Sequence, residues 1–300
     1  MAHSRGAYRS RLYLVVSFPS RLCVAQLSVS VVVFRSDPAV LSRTLNALRV
    51  AISAAVSQQL LEAPVRLTLI DNGAAGSDDA VSLDALRQPF TDWEVCIEAG
   101  HGNIGYGRGH NLAIDVADST LHLILNPDVI MAPDALVQAL AWLHGEASVV
   151  ALAPRILGED GRQQYLCRQY PSVLDLFVRG FLPARWRAPF AQRLERYEMR
   201  DTIDEARNGG VCYPPIISGC FMLFRTPALR SVGGFDPRYF LYFEDYDLSL
   251  RAGRVGKISY VDAVEIVHFG GGASRKGLAH IRMFAASAWR FFNRFGWKWV

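Results

Sequence analysis

Three carboxylates fall within four consecutive positions, Glu244, Asp245 and Asp247, in the run Phe240-Leu241-Tyr242-Phe243-Glu244-Asp245-Tyr246-Asp247-Leu248. Acids suit the first turn of a helix, where they cap free N–H groups and oppose the positive end of the helix dipole. One or two acids meet that need. A third among aromatic neighbours points to a carboxyl whose pKa is raised, the condition of a general base. Another acid, Asp128, closes the turn Asn126-Pro127-Asp128 after an apolar run. A carboxylate on a strand-end turn can hold Mg2+ or Mn2+ and leave room for phosphate oxygens. Asn and Asp also favour such turns for backbone reasons alone. His268 ends a further apolar run and precedes Gly270-Gly271-Gly272-Ala273-Ser274-Arg275-Lys276-Gly277. A glycine loop with two cations behind it could close over a diphosphate and neutralise it.

The segment from Gly102 to Asn111 contains G-x-G but not G-x-G-x-x-G, because His110 stands where the third glycine belongs. It also follows the third predicted strand rather than the first, so a dinucleotide fingerprint is not expected. Its glycines point to close backbone approach or positive φ beside a ligand, or to a plain irregular loop.

These residues need a frame. Ser28 to Phe34 is a β-branched run fit for a buried parallel strand, and Pro38 opens a helix whose apolar positions recur to Leu61. Strands are predicted at Val65 to Ile70, Trp93 to Ile97, Leu121 to Leu125 and Val149 to Ala153, with helices at Ala80 to Arg87, from about Asn111, and after Pro133. Such alternation means a doubly wound, mostly parallel or mixed α/β sheet flanked by helices. Polar turns follow three of the strands, at Arg35-Ser36-Asp37, Asp71-Asn72 and Asn126-Pro127-Asp128, and open α/β sheets bind ligands at that edge. Regular alternation stops over residues 158–213, then resumes with a strand at Ile216 to Phe224, a helix at Glu244 to Arg251 and strands at Lys257 to Val261 and Val264 to His268. The expected layout is a basic N-terminal extension, 1–27; a main domain, 28–270, with halves 28–155 and 156–270; and a loop with an amphipathic C-terminal helix, 271–300.

Composition excludes some classes. Of 300 residues, 51% are hydrophobic, enough for a sizeable core. A net charge of +4 is weaker than nucleic-acid binders show, and suits phosphates or an anionic membrane surface. Five cysteines form no C-x-x-C pair, so neither a zinc site nor a disulfide framework is expected. Cations alternate with large apolar side chains over 177–197 and from Ile281 to Trp299, as in a helix lying on anionic lipid or an amphipathic helix packed on the core.

Taken together, VSVVVF (29–34), LTLIDNG (67–73), GNIGYGRGHN (102–111), LILNPDV (123–129), ISGCFMLFR (217–225), GGFDPRYFLYFEDYDLSLR (233–251) and HFGGGASRKG (268–277) resemble family-2 glycosyltransferases of the GT-A fold, in particular bacterial rhamnosyltransferases. The resemblance implies an inverting transferase with Mg2+ or Mn2+. Its donor would be a nucleotide sugar, dTDP-rhamnose first and a UDP-sugar as the alternative. Its acceptor would be a sugar on a polyprenyl diphosphate, in O-antigen or related polysaccharide synthesis, with the chain cytoplasmic and peripheral at the inner face of the plasma membrane. It implies Asp245 as catalytic base with Glu244 in support, and Asp128 and His268 at the metal. It also implies Asp71, Asn103, Gly105, Asn126, Arg275 and Lys276 around the donor. Competing readings are a non-catalytic nucleotide-sugar binder, a membrane-surface scaffold and a dinucleotide oxidoreductase; the missing glycine at 110 speaks against the last.

Overall fold

The computed structural model describes residues 24–73, 90, 92–270 and 277–300. The predicted helix at 80–87, Arg275, Lys276 and all but the end of the N-terminal extension lie outside the described residues.

The chain runs β1 (Ala25–Val33), α1 (Pro38–Ser57), β2 (Leu61–Asp71), β3 (Glu94–Glu98), α2 (Tyr106–Ile114), β4 (Leu121–Leu125), β5 (Val129–Met131), α3 (Ala135–Gly145) and β6 (Val149–Leu157). Three short helices follow, α4 (Val173–Phe181), α5 (Ala191–Tyr197) and α6 (Arg200–Arg207). Then come β7 (Phe221–Arg225), α7 (Thr226–Ser231), α8 (Glu244–Ala252), β8 (Lys257–His268) and α9 (Leu278–Phe295). The eight strands form one sheet in the order β3-β2-β1-β4-β7-β6-β8-β5. The β3-β2-β1-β4 half is parallel throughout. β7 enters antiparallel between β4 and β6, β8 runs parallel to β6, and β5 closes the edge antiparallel to β8. The mixed sheet agrees with the α/β expectation.

Every residue of β1 from Leu27 to Val33 is buried, as a central parallel strand covered on both faces requires. α1 starts where Asp37 Oδ1 accepts the Ala39 N–H at 2.8 Å, with Pro38 in the first turn. Its Leu41, Leu45, Leu48, Ile52 and Ala55 lie on one buried face against the sheet. Burial of each large side chain stabilises the fold by about 1.5–3 kcal/mol. α1 is long and apolar enough to cross a membrane by length and composition; its packed face makes it a core helix.

Four local expectations need correction. The glycine segment is a loop only to Gly105, and α2 begins at Tyr106, not near Asn111. The helix tolerates Gly107 and Gly109 because added Cβ atoms would come within 2.8 Å of Phe235 Cβ and Val32 Cγ2. The two strands predicted near the end are one, β8, with a register shift opposite Pro154 and Arg155 that absorbs the extra residues. α1 stops at Ser57 and Leu61 already belongs to β2. Ile216 lies outside β7, joined only by an isolated bridge to Arg168.

Candidate active site

Asp128 directly precedes β5 and His268 ends β8, and the antiparallel β5–β8 pair places Val129 opposite His268. The Phe269 N–H donates to the Asp128 carbonyl at 3.0 Å, and Thr44 Oγ1 donates to the Pro127 carbonyl at 2.9 Å, so the turn is held from both sides. Asp128 Oδ1 is buried, has no hydrogen-bond partner among the described residues, and lies 3.5 Å from His268 Nε2. The other ring nitrogen, Nδ1, faces Gln164 Oε1 at 3.3 Å, while Gln164 Nε2 donates to the His268 carbonyl at 3.3 Å. An Nδ1–H donated to Gln164 leaves the Nε2 lone pair turned to Asp128. A Cβ at Gly270 would lie 2.5 Å from His268 Nε2 and 2.8 Å from Asp128 Oδ2. Glycine keeps that space clear. An orphaned carboxylate oxygen beside an imidazole nitrogen and an open cradle fits a divalent cation. Among the described residues no three His, Cys, Asp or Glu side chains gather as a cation site. Asp128 and His268 would therefore share the ion with phosphate oxygens and water, the usual arrangement for Mg2+.

The second cluster opens α8. Tyr242 and Phe243, at φ 70° and 64°, are both left-handed. Side chains there cost about 1–3 kcal/mol each, and such strain gathers at functional sites. Contacts of the Phe243 ring with Tyr246, Phe284 and Phe291, each at 5.2 Å between centroids, offset it. Beyond this bend, Asp245 Oδ2 accepts the Gly219 N–H at 3.1 Å and Oδ1 accepts the Tyr246 N–H at 2.9 Å. Burial raises the Asp245 pKa, and those hydrogen bonds draw it back down. Burial, and then the charge of Asp245, push Glu244 well above the usual glutamate range, and its buried Oε2 meets no donor among the described residues. The two adjacent carboxyls titrate as a pair, and the hydrogen bonds to Asp245 favour charge there.

Asp247 departs from the trio. Fully buried, it accepts from Arg251 Nε at 2.5 Å and from Arg294 Nη1 at 2.8 Å, tying α8 to α9. Its role is structural.

The segment Ser218-Gly219-Cys220 joins the two clusters. The Cys220 carbonyl accepts the Asn126 N–H at 2.9 Å, the Gly219 N–H reaches Asp245, and the Gly219 carbonyl accepts from Tyr106 Oη at 2.7 Å. Burial, then the charges of Cys220, Glu244, Asp245 and Asp128, raise the Tyr106 hydroxyl well above its ordinary value, so it donates as a neutral phenol.

At this same N-terminal end of α2, Asn72 is buried and donates through Nδ2 to the Gly105 carbonyl at 3.1 Å, while its Oδ1 meets no donor among the described residues. Asp71 Oδ1 accepts the Gly73 N–H at 2.7 Å, and the exposed Asn103 accepts the Gly105 N–H at 3.0 Å. Gly105, at φ 94°, approaches Phe240 so closely that a Cβ would sit 2.5 Å from its carbonyl oxygen. The close approach expected of this loop is thus met by the protein's own backbone. Asp71, Asn103 and Gly105 gather at the β2–α2 edge, joined through Tyr106 to Asp245 and through Cys220 to Asn126. Tyr106, Gln164 and Gly219 are not singled out by the sequence, and Asn72 only as part of a polar turn. Asn72, Tyr106 and Gly219 lie within the family-like motifs, where their side-chain and backbone partners, distant in sequence, leave no local signal.

No family model matches the chain. It is 32% identical over 228 residues to an N-acetylglucosaminyl-diphospho-decaprenol L-rhamnosyltransferase of Mycobacterium tuberculosis (strain ATCC 25618 / H37Rv), covering 69% of this chain and 67% of that protein. It is 28% identical over 180 residues to the rhamnosyltransferase WbbL of Escherichia coli (strain K12), covering 56% of this chain and 62% of the relative. Among solved structures, GalNAc-T7 with UDP, GalNAc and Mn2+ superposes with a TM-score of 0.56 at 14% identity, over 83% of this chain and 45% of that one. S. aureus TarS 1-349 in complex with UDP-GlcNAc gives 0.55 at 14% identity, over 89% and 67%. At that identity the structures speak for the shared fold.

Proposed function

Because the chain belongs to the rhamnosyltransferases, glycosyltransferases of the GT-A fold, we propose that it moves L-rhamnose from dTDP-rhamnose to the N-acetylglucosamine of a polyprenyl-diphosphate-linked acceptor. The step would serve O-antigen or related cell-envelope polysaccharide assembly. The observation that carries the catalytic reading is the contrast between the α8 carboxyls, Asp245 held by two backbone N–H groups beside Glu244, whose buried Oε2 meets no donor among the described residues.

The reaction is a single inverting displacement. Asp245 takes the proton of the acceptor hydroxyl as its oxygen attacks the anomeric carbon. The bond from that carbon to the diphosphate breaks on the opposite face, and the nucleotide leaves with the electron pair. Glu244 retains its proton and keeps the negative charge on its neighbour. Asp71 meets the base or ribose, and Asn103, Gly105 and Asn126 line the donor cleft. Arg275 and Lys276 would face the diphosphate from the loop outside the described residues. Asp128 and His268 would hold Mg2+ or Mn2+, which when bound supplies charge stabilisation to the departing diphosphate. Residues 28–155 form the donor half and 156–270 the acceptor half. A lipid-linked acceptor places the chain peripherally at the inner face of the plasma membrane.

A turnover panel tests this. Purified protein with Mg2+ or Mn2+ is offered dTDP-rhamnose and UDP-, GDP- and other dTDP-sugars with a lipid-diphosphate-N-acetylglucosamine acceptor. Transfer of rhamnose is the expected result. Transfer from a UDP-sugar alone would overturn the donor assignment, and no transfer from any donor would overturn the enzyme reading of this site.

A further inference from the structure

The strip from Leu176 to Leu194 holds four arginines and no acidic residue, and α9 holds three arginines and none. These two segments are one layer. Phe177 stacks on Phe181, Phe181 meets Phe284 of α9 edge-on at 6.3 Å, and the N–H groups of Val173 and Leu174 donate to the carbonyls of Lys298 and Trp299 after α9. The layer shows two sides. Phe291, Phe292 and Ser287 are buried on the domain, which satisfies the core-packing expectation for this helix. The remaining stripe, Leu278, Ile281, Ala285 and Trp289, recurs at helical spacing and is exposed, Leu278 by 79% and Trp289 by 62%. Phe177, Phe181 and Trp186 are about half exposed on the α4 side. Arg185 lies over the Trp186 ring at 5.4 Å, and among the described residues neither Arg185 nor Arg282 forms an ion pair.

We propose that this α4–α9 face is the surface on which the protein lies on an anionic bilayer, with the aromatic and aliphatic side chains in the interface and the arginines at the headgroups. The proposal rests on the lipid-linked acceptor of the preceding reading and names the face that meets its membrane. Arg179, Arg193 and Arg294 are paired with Glu198, Asp175, Asp236 and Asp247, but Arg185 and Arg282 form no ion pair among the described residues, and large apolar side chains flanked by such cations match an anionic lipid surface. A second copy of the chain fits less well, because a twofold contact would set the same arginines against themselves. The position relative to the chemistry agrees. Phe284 also packs on Tyr242 and Phe243, and Tyr242 Oη lies 2.9 Å from His280 Nδ1 of α9. The two left-handed residues that lead into Glu244 and Asp245 therefore rest on the inner side of the same helix. An acceptor rising from the leaflet beside α9 has a short path to the base.

The test is co-flotation of the whole protein with phosphatidylcholine vesicles, with and without phosphatidylserine, at low and high salt. It is paired with turnover on a short-tailed water-soluble acceptor. Binding should need phosphatidylserine and weaken with salt. Each arginine near an anionic surface is worth about fivefold in partitioning, so R185Q with R282Q should lower it about twentyfold. Phe177→Ser with Trp186→Ser should weaken it independently, and both pairs should keep turnover on the soluble acceptor. Absence of binding at low salt would overturn the proposal. So would equal binding by wild type and both variants, or a dimer in sedimentation that the variants abolish. Vesicle binding without turnover on any acceptor would leave this face standing and sink the enzymatic reading instead.

Discussion

The N–H of Gly219 reaches Asp245 Oδ2 at 3.1 Å, so a backbone group from just before β7 fixes a carboxylate at the start of α8. No donor among the described residues reaches Glu244 Oε2. Neighbours in sequence thereby sit in opposite surroundings: hydrogen bonds favour the charged form at Asp245, while burial without a donor raises the Glu244 pKa.

Asp245→Asn should lower turnover by about 10²–10⁴-fold, the usual worth of a general base, with donor affinity unchanged by calorimetry. Wild-type kcat/KM should fall as pH drops through the raised Asp245 pKa, because protonation removes the base. Glu244→Gln should cost much less near neutrality, since the amide imitates the protonated acid. The folded-state pKa of Glu244 is raised above its unfolded value, so its contribution to stability is full below about pH 4.5 and is lost as pH rises through the folded value. The Gln variant should therefore melt progressively higher than wild type as pH rises into the alkaline range. Parallel melting curves at all pH values would contradict the assignment.

Asp128→Asn, His268→Ala and Gly270→Ala should each weaken Mn2+ binding at least tenfold, about 1.4 kcal/mol, measured by electron paramagnetic resonance in the presence of nucleotide diphosphate. The Gly270 variant acts by filling the cradle, its methyl 2.5 Å from His268 Nε2 before any shift. Gln164→Ala should weaken the site by about 10–100-fold through loss of the ring's orientation. Chelation should suppress transfer and added Mg2+ or Mn2+ restore it.

Asp247→Asn tests the division within the acidic trio. It leaves the buried Arg251 short of its counter-charge, and breaking such a pair costs about 3–5 kcal/mol. Urea denaturation should show that loss, while turnover per folded molecule stays within a few-fold of wild type. A collapse of turnover at full stability would return Asp247 to the chemistry.

A buried chain runs under the site: Ser28 Oγ to His122 Nδ1 at 2.7 Å, His122 Nε2 to Ser30 Oγ at 2.9 Å, and Ser30 Oγ to His110 Nδ1 at 2.7 Å. Burial pushes His122 down to about 3 and lowers His110 well below its ordinary value, with the His122 charge adding to the second effect. Both folded values lie below the unfolded one, so this stability is present above about pH 6.5 and is lost as pH falls. His122 should cost about 1.4 kcal/mol per pH unit in that range, or about 2 kcal/mol by pH 5, and His110 adds to the loss in the same direction. Denaturation midpoints at pH 7 and pH 5 measure it, and His122→Gln should flatten the dependence.

Much of this architecture is legible from hydrophobic period. β1, β2, β4 and α1 follow from unbroken apolar runs and a 3.6-residue repeat, and the polar turns after β2 and β4 mark the binding edge. α2 is hidden because Gly107 and Gly109 oppose helix formation locally, and only Phe235 and Val32, far along the chain or across the sheet, explain them. The bend at Tyr242 and Phe243 is hidden for the opposite reason: aromatic side chains disfavour positive φ, and their packing on α9 overrides the preference. Asp128, Asp245 and His268 were legible as types in motifs. Their separation into the pair proposed for a cation and the proposed base depends on Gly219, Gln164 and Gly270.

The sheet order carries a consequence for biosynthesis. Asp128 precedes the edge strand β5, which among the described residues pairs only with β8, the last of the described strands in chain order. A nascent chain ending before His268 can complete β3-β2-β1-β4 and yet lacks half of its cation seat. A ribosome-bound or truncated copy, however well its parallel half has formed, would have no assembled centre with which to consume activated sugar. The Asp128–His268 pair is complete only once β8 has been made.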